Sequence, residues 1–273
     1  MTKAEIQFVR SLSDKRTRDE HGLFIAEGDK LIGEILSSGL KIHKIYALAG
    51  HLEPHAEIVS EKEMERISQL KTASSSLAIV ECPRHKTPLS APAQALSIAL
   101  DGVQNPGNLG TIIRLADWFG IGDIFCSMDC ADCYNPKVVQ ATMGAILRVR
   151  VHYLPLAEFL ERTKQSGVAI YGTMLDGENI YSTQLQPNGV IVMGNEGKGV
   201  SAECQKSFTH SLLIPSFPPE RQGSESLNVA MATGIVCAEF RRRNFKLGSK
   251  LQIKRLTLGR FFIATLSKKL LKD

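Results

Sequence analysis

Residues 101–114 read Asp-Gly-Val-Gln-Asn-Pro-Gly-Asn-Leu-Gly-Thr-Ile-Ile-Arg, between an apolar run, Ala95 to Leu100, and a helical pattern, Leu109 to Phe119. Glycine weakens regular structure, and asparagine side chains compete for backbone hydrogen bonds. A strand that turns into a helix through such a composition usually holds a ligand at the turn. Two other junctions share this character. One is Met193-Gly194-Asn195-Glu196-Gly197-Lys198-Gly199-Val200-Ser201. The other is Ile214-Pro215, a loop, and then Gly223 to Ala230. In open parallel sheets, ligands bind beyond the carboxyl ends of strands, so three such junctions predict one composite site. Familiar phosphate cradles do not fit. Gly194–Gly199 lacks both the Gly-x-Gly-x-x-Gly spacing and the Gly-Lys-Ser/Thr ending, and no Gly-x-Ser-x-Gly elbow is present.

Cys126, Cys130 and Cys133 have a Cys-x3-Cys-x2-Cys spacing that would suit iron–sulfur ligation. The residue before Cys133 is Asp132 rather than an aromatic, and the triad follows a strand in mid-chain. These are read as incidental thiols, and no metal is expected.

The elements that position these junctions are legible from periodicity. Residues 1–80 read as a small α/β unit. In it, Phe24–Gly28, Lys44–Leu48 and Leu77–Val80 are strands, Leu31 to Leu36 is helical, and Glu61 to Leu70 is a charged helix. Cys82 to Ala93 reads as a linker because Pro83, Pro88 and Pro92 remove donors and bar helix before them. Strands are then expected at Ala95–Leu100, Gly122–Cys126, Leu147–Val151, Val168–Tyr171, Gly189–Met193 and His210–Ile214. They alternate with helices at Leu109–Phe119, Pro136–Ile146, Leu156–Ser166, Ser201–Ser207 and Leu227–Arg243. That alternation predicts a parallel sheet covered on both faces. On the first of these helices, Leu109, Ile112, Ile113, Ala116 and Phe119 form an apolar stripe. Arg114 and Trp118 lie opposite as an i,i+4 pair, which suggests a second buried surface at a dimer interface or an RNA-contacting face. The alternative for Trp118 is to cap a peripheral pocket.

Composition bounds the class. The chain has 273 residues, 43% hydrophobic and 22% charged, within the globular range. No run approaches the ~18 apolar residues of a membrane helix, and no apolar signal segment opens the chain. Six cysteines in such a chain point to free thiols in the cytoplasm. The net charge of +5 is uneven: residues 241–273 carry eleven basic side chains and one acid, leaving the rest at −5. That tail is a solvated extension, an arm that grips a polyanion such as RNA, or an amphipathic helix for a membrane or partner surface.

The three junctions resemble motifs 1, 2 and 3 of the SpoU/TrmH family of RNA ribose 2′-O-methyltransferases, within the SPOUT superfamily. Motif 1 is matched by Asn105, Gly107, Asn108, Gly110 and Arg114. Motif 2 is matched by Gly194, Asn195, Glu196, Gly197 and Gly199. Motif 3 is matched by Ile214-Pro215 and by Ser226-Leu227-Asn228 with the helix behind them. Residues 1–85 are more loosely similar to the family's substrate-binding domain, chiefly through Phe24–Gly28. The loop 216–223 is longer than the family norm.

The resemblance implies an α/β protein with an N-terminal RNA substrate-binding domain (1–82) and a linker (83–94). A SPOUT methyltransferase domain with a parallel sheet and a deep trefoil knot (95–243) and a basic tail (244–273) follow. It implies transfer of a methyl group from S-adenosyl-L-methionine to a ribose 2′-OH in structured RNA, rRNA or tRNA, by a cytoplasmic homodimer whose site is completed across the interface. The alternative is a non-catalytic RNA-binding or ribosome-assembly protein that retains the fold. Carried over by position, Gly194, Asn195, Gly199, Ile214 and Leu227 bind the cofactor. Arg114, Ser226, Asn228, Glu196 and Asn105 are the catalytic candidates. Arg114 suits phosphate binding and stabilisation of a forming alkoxide rather than a base role, because a guanidinium stays protonated. Ser226 and Asn228 are candidates to hydrogen-bond ribose or cofactor, although Ser226 also suits a helix cap. Glu196 accepts a proton or fixes a loop, and Asn105 braces the turn or touches substrate.

Overall fold

The structure is a computed structural model that describes residues 1–52, 55–218 and 226–244. The basic tail and most of the long loop before Ser226 lie outside the described residues, and with them the readings placed there.

The N-terminal unit opens with two helices that periodicity alone did not reveal. Helix α1 (Lys3–Ser11) starts at a capping box in which Thr2 and Glu5 satisfy each other's backbone. Helix α2 (Lys15–His21) is capped by Asp14 and ends at Gly22, whose φ of 64° suits glycine. Strand β1 (Leu23–Glu27), helix α3 (Asp29–Ser38), strands β2 (Ile42–Ala47) and β3 (Glu57–Ile58), helix α4 (Glu61–Ile67) and strand β4 (Ser76–Glu81) follow. The strands form a sheet in the order β1-β4-β2-β3. The expected strands and helices fall here, each shifted by only a few residues. Within the proline-rich stretch, a short helix α5 (Ala91–Gln94) forms with Pro92 in its first turn, where the missing N–H costs nothing.

The second unit contains strands β5 (Leu96–Leu100), β6 (Asp123–Cys126), β7 (Arg150–Tyr153), β8 (Ile170–Asn179), β9 (Gly189–Met193) and β10 (His210–Leu213). They make one six-stranded sheet in the order β10-β8-β9-β5-β6-β7, and every pairing is parallel. Helices α6 (Pro106–Trp118), α7 (Pro136–Thr142), α8 (Leu156–Gln165), α9 (Ala202–Gln205) and α10 (Val229–Asn244) complete it. Two expectations are corrected. The helix from Pro136 stops at Met143, where the backbone turns left-handed (φ 50°). A 3-10 turn over Ala145–Leu147 then delays the strand expected at Leu147 to Arg150. Strand β8 runs far beyond Tyr171 because Gly177 lets β10 approach; a Cβ there would sit 2.7 Å from the Leu212 carbonyl carbon.

The two units share a packed and charged boundary. Phe24 of β1 packs on Tyr134 with the rings tilted and their centroids 4.9 Å apart, and Val139 of α7 joins the core formed by Phe24, Ile32 and Ile35. Arg18, 2% exposed, donates from Nε and Nη2 to Asp132, while its Nη1 donates to the carbonyls of Leu12 and Ser13.

Another buried charge anchors the last helix. Glu239 of α10, 5% exposed, accepts from Arg242 and Arg243, and Arg243 also donates to the carbonyls of Ile180, Tyr181 and Thr183. The Arg242 hydrogen bond, with Arg243 assisting and burial opposing, holds the Glu239 carboxyl down at about 2. A depressed carboxyl stabilises the fold above its unfolded pKa of about 4.3, and this is lost as pH falls toward the folded value. Thermal unfolding should therefore be less acid-sensitive in Glu239→Gln than in the parent protein between about pH 4.5 and 2. Equal slopes would show that the pair contributes nothing.

Candidate active site at the carboxyl edge of the parallel sheet

The three junctions occupy one edge because β5, β9 and β10 are parallel and each ends there, at Leu100, Met193 and Leu213. The turn after β5 is held from both sides. Gly102, with φ 68°, donates its N–H to Ser127 Oγ at 2.8 Å, and its carbonyl accepts from Asn195 Nδ2 at 2.7 Å. Asp101 accepts from the Ser201 N–H at 2.7 Å, which ties the start of the first junction to the end of the second. Gly110 serves packing: a Cβ there would lie 2.5 Å from Ala141 Cβ, so glycine lets α6 press against α7.

Asn105 is the N-cap of α6, its Oδ1 accepting from the N–H groups of Gly107 (2.8 Å) and Asn108 (3.1 Å). Its carbonyl oxygen is thus committed to the helix start, whereas the neighbouring Asn108 joins all three junctions. Asn108 Nδ2 donates to Glu196 Oε1 at 2.8 Å, and Asn108 Oδ1 accepts from Asn228 Nδ2 at 3.0 Å. Asn108 matched motif 1 in sequence but was not among the site candidates. Its match to motif 1 was the signal that could have found it, since its position alone does not distinguish it from a solvated helix residue.

In the second junction, Asn195 holds its own loop. It exchanges backbone hydrogen bonds with Gly199 and accepts at Oδ1 from Gly197 and Lys198. Gly199 takes φ 70°, and Gly194 has no room for a side chain, since a Cβ would come within 2.3 Å of the Gly199 and Val200 backbone. In the third junction, Asn228 rather than Ser226 caps the following helix. Its Oδ1 accepts from Ala230 at 3.0 Å and Met231 at 3.3 Å, which leaves the exposed Ser226 hydroxyl without a hydrogen bond to any described residue. Asn228→Ala should therefore cost about 1 kcal/mol of stability from the cap. It should also lower the activity of the site by more than that stability loss accounts for, because the Asn108 link goes with it. Thermal unfolding and turnover measured on the same preparation separate the two effects.

The main chains of Gly194, Ile214 and Leu227 make no hydrogen bond to any described residue. Leu227 is 52% exposed, and Ile214 packs half-buried against the core. Free backbone donors and acceptors beside apolar surface, in loops too tight for larger side chains, fit a small ligand with both polar and apolar parts. On α6, Leu109, Ile112, Ile113 and Ala116 are buried as the stripe predicts, and Arg114 is exposed with no hydrogen bond or ion pair to any described residue. Trp118 is 82% exposed, so it caps no pocket in the single chain.

The cysteines after β6 brace the site. Cys130 Sγ accepts from the Val103 N–H and donates to the Leu100 carbonyl, both at 3.3 Å. Hydrogen bonding from Cys126, against the cost of burial and with help from Ser127 and the Val103 and Gly102 backbone, lowers the Cys130 thiol to about 7. The Cys133 N–H donates to Tyr153 Oη. Among the described residues no group of three or more His, Cys, Asp or Glu side chains is placed to hold a metal ion.

A parallel α/β sheet with three glycine- and asparagine-rich loops at its carboxyl edge, joined to a separate α/β unit, defines a class of two-part ligand-binding protein. Residues 95–238 match the SpoU rRNA Methylase family, and the chain belongs to that family. Residues 3–78 match the MRM3-like substrate binding domain. The 23S rRNA (guanosine(2553)-2′-O)-methyltransferase RlmP of Bacillus subtilis is 29% identical over 240 residues, 85% of this chain and 94% of the relative. A TrmH-family chain from Porphyromonas gingivalis superposes with a TM-score of 0.79 at 37% identity, covering 89% of this chain and 99% of the other. An AdoMet-bound rRNA methyltransferase from Sinorhizobium meliloti superposes with a TM-score of 0.77 at 29% identity, covering 90% and 97%.

Proposed function

We propose that this protein transfers a methyl group from S-adenosyl-L-methionine to a ribose 2′-hydroxyl of ribosomal RNA. The observation that carries this reading is the Asn228–Asn108–Glu196 chain of hydrogen bonds, which joins the three loops on the helix that bears Arg114, itself without a hydrogen-bond or ion-pair partner among the described residues. The relatives of known name, which methylate 23S rRNA, support the substrate class.

The bound cofactor supplies an electrophilic methyl on a sulfonium. The main chains of Gly194, Ile214 and Leu227 would hold it, with Leu227 and Ile214 supplying apolar contact. Asn195 and Gly199 keep the second loop in shape. Arg114 binds the phosphate next to the target ribose and offsets charge developing on the 2′-oxygen. Ser226 would hydrogen-bond the ribose, Glu196 would orient Asn108 or take the proton, and Asn105 would keep the first turn of α6 aimed. Most of the rate comes from holding donor and acceptor in line.

We assign residues 1–82 to RNA binding, 83–94 to the linker, 95–243 to the knotted catalytic domain and 244–273 to a basic tail. The active form is a homodimer. Trp118 on α6 and Met231 on the adjacent α10 are 82% and 63% exposed, an apolar face that a second copy would cover and across which Arg114 would reach. The compartment is the cytoplasm, which suits six free cysteines. Among the described residues no helix is long and apolar enough to cross a membrane.

The test is incorporation of radiolabelled methyl from S-adenosylmethionine into ribosomal RNA from a strain lacking the gene. Stoichiometric 2′-O-methylation at one nucleotide is expected. Intact cofactor binding with no incorporation into ribosomal RNA would overturn the enzymatic reading and favour a non-catalytic assembly role. Light scattering gives the subunit count, and a monomer would remove the cross-subunit role of Arg114.

A further inference from the structure

Among the described residues five guanidinium groups have no hydrogen-bond or ion-pair partner: Arg10, Arg16, Arg66, Arg84 and Arg114. Two of them, Arg10 and Arg66, line the same cavity of about 460 Å³, together with Ser13, Glu65, Ser68 and Gln69. Each sits in the last turn of a helix, α1 and α4, where a single cation ordinarily complements the helix dipole. Two cations from separate helices that line one concavity, neither with a hydrogen-bond or ion-pair partner among the described residues, go beyond that role and suit an anion there.

The cavity has a fixed floor. Glu27, 6% exposed, accepts from the Gln69 N–H at 2.7 Å and from Ser68 Oγ at 2.6 Å, which sets the loop after α4. The cavity is also linked by hydrogen bonds to the loop after β6. The Ser13 carbonyl accepts from Arg18, and Arg18 pairs with Asp132. Asp132 belongs to the loop whose Ser127 and Cys130 hold the Gly102–Val103 turn.

We propose that this cavity is a backbone phosphate subsite for the RNA substrate. The proposal rests on the reading of the chain as an RNA methyltransferase. One phosphodiester would supply the anionic partner that the two guanidiniums lack among the described residues, Glu65 being the acid on the lining and Glu27 being held by Ser68 and Gln69 at its floor. Each guanidinium fork matches two phosphate oxygens.

The test uses the full chain and unmodified 23S ribosomal RNA transcribed in vitro. For the double variant Arg10→Gln/Arg66→Gln, RNA affinity should fall about tenfold. The slope of log affinity against log salt should flatten by about one unit. Turnover at saturating RNA and cofactor affinity should not change. Glu65→Gln should act in the opposite direction and tighten RNA binding, which a purely structural role would not produce. Arg10→Lys/Arg66→Lys should keep the parent slope. Unchanged affinity and slope in an active Arg10→Gln/Arg66→Gln protein would overturn the subsite and leave the enzymatic reading intact. A parent protein that neither binds nor methylates this RNA would overturn both.

Discussion

Arg114→Ala should lower turnover by about 10²–10³-fold while leaving S-adenosylmethionine affinity nearly unchanged. The reason is positional. Arg114 lies on the exposed face of α6, opposite the buried Leu109, Ile112, Ile113 and Ala116, and no described residue engages its guanidinium. Removing it opens no cavity and strands no buried partner, so stability should stay within the usual range of surface changes, about 0.5 kcal/mol. What is lost is a fixed positive charge that acts only when phosphate and developing oxyanion are present. Arg114→Lys should recover part of the rate by restoring charge without the fork. Isothermal titration with cofactor and single-turnover methylation separate the two quantities. A collapse of cofactor affinity would place Arg114 on the cofactor instead and overturn its assigned role.

Arg18→Met should be the most destabilising single change at the boundary of the two units, by about 3–5 kcal/mol. Arg18 is 2% exposed and its partner Asp132 13%, so truncation leaves a carboxylate and two carbonyls without their donor. The damage should reach the candidate active site, because the loop carrying Asp132 also donates and accepts at the turn after β5. Adding Asp132→Asn to Arg18→Met should recover part of the loss, since the remaining partner is then neutral. Chemical denaturation of both single variants and the double variant gives the coupling. Additive effects would show that the pair is not an interacting unit.

The sequence by itself determined the alternation of apolar runs and helical patterns, and so the parallel sheet and the three junctions at its carboxyl edge. These are local properties, carried by neighbours two to eight residues apart, and each strand after the linker overlaps its expected place, although β7 starts three residues late and β8 runs on to Asn179. The buried stripe on α6 was legible for the same reason. Helices α1 and α2 were not, because their short, charged segments bury only a few side chains and depend on caps at Thr2 and Asp14.

Only the tertiary structure decided which polar side chains work together. Asn105 and Asn108 are indistinguishable by composition. One caps α6, while the other spans 88 residues to Glu196 and 120 to Asn228. Ser226 and Asn228 are both good caps, and the placement of the first turn of α10 chose Asn228. Cys130 looked incidental until its sulfur met the Leu100 carbonyl and the Val103 N–H. Arg10 and Arg66 are ordinary helix-end cations in sequence and meet at one cavity only in the fold. Periodicity specifies which face of an element is buried, but partners across such separations are set by how the elements dock.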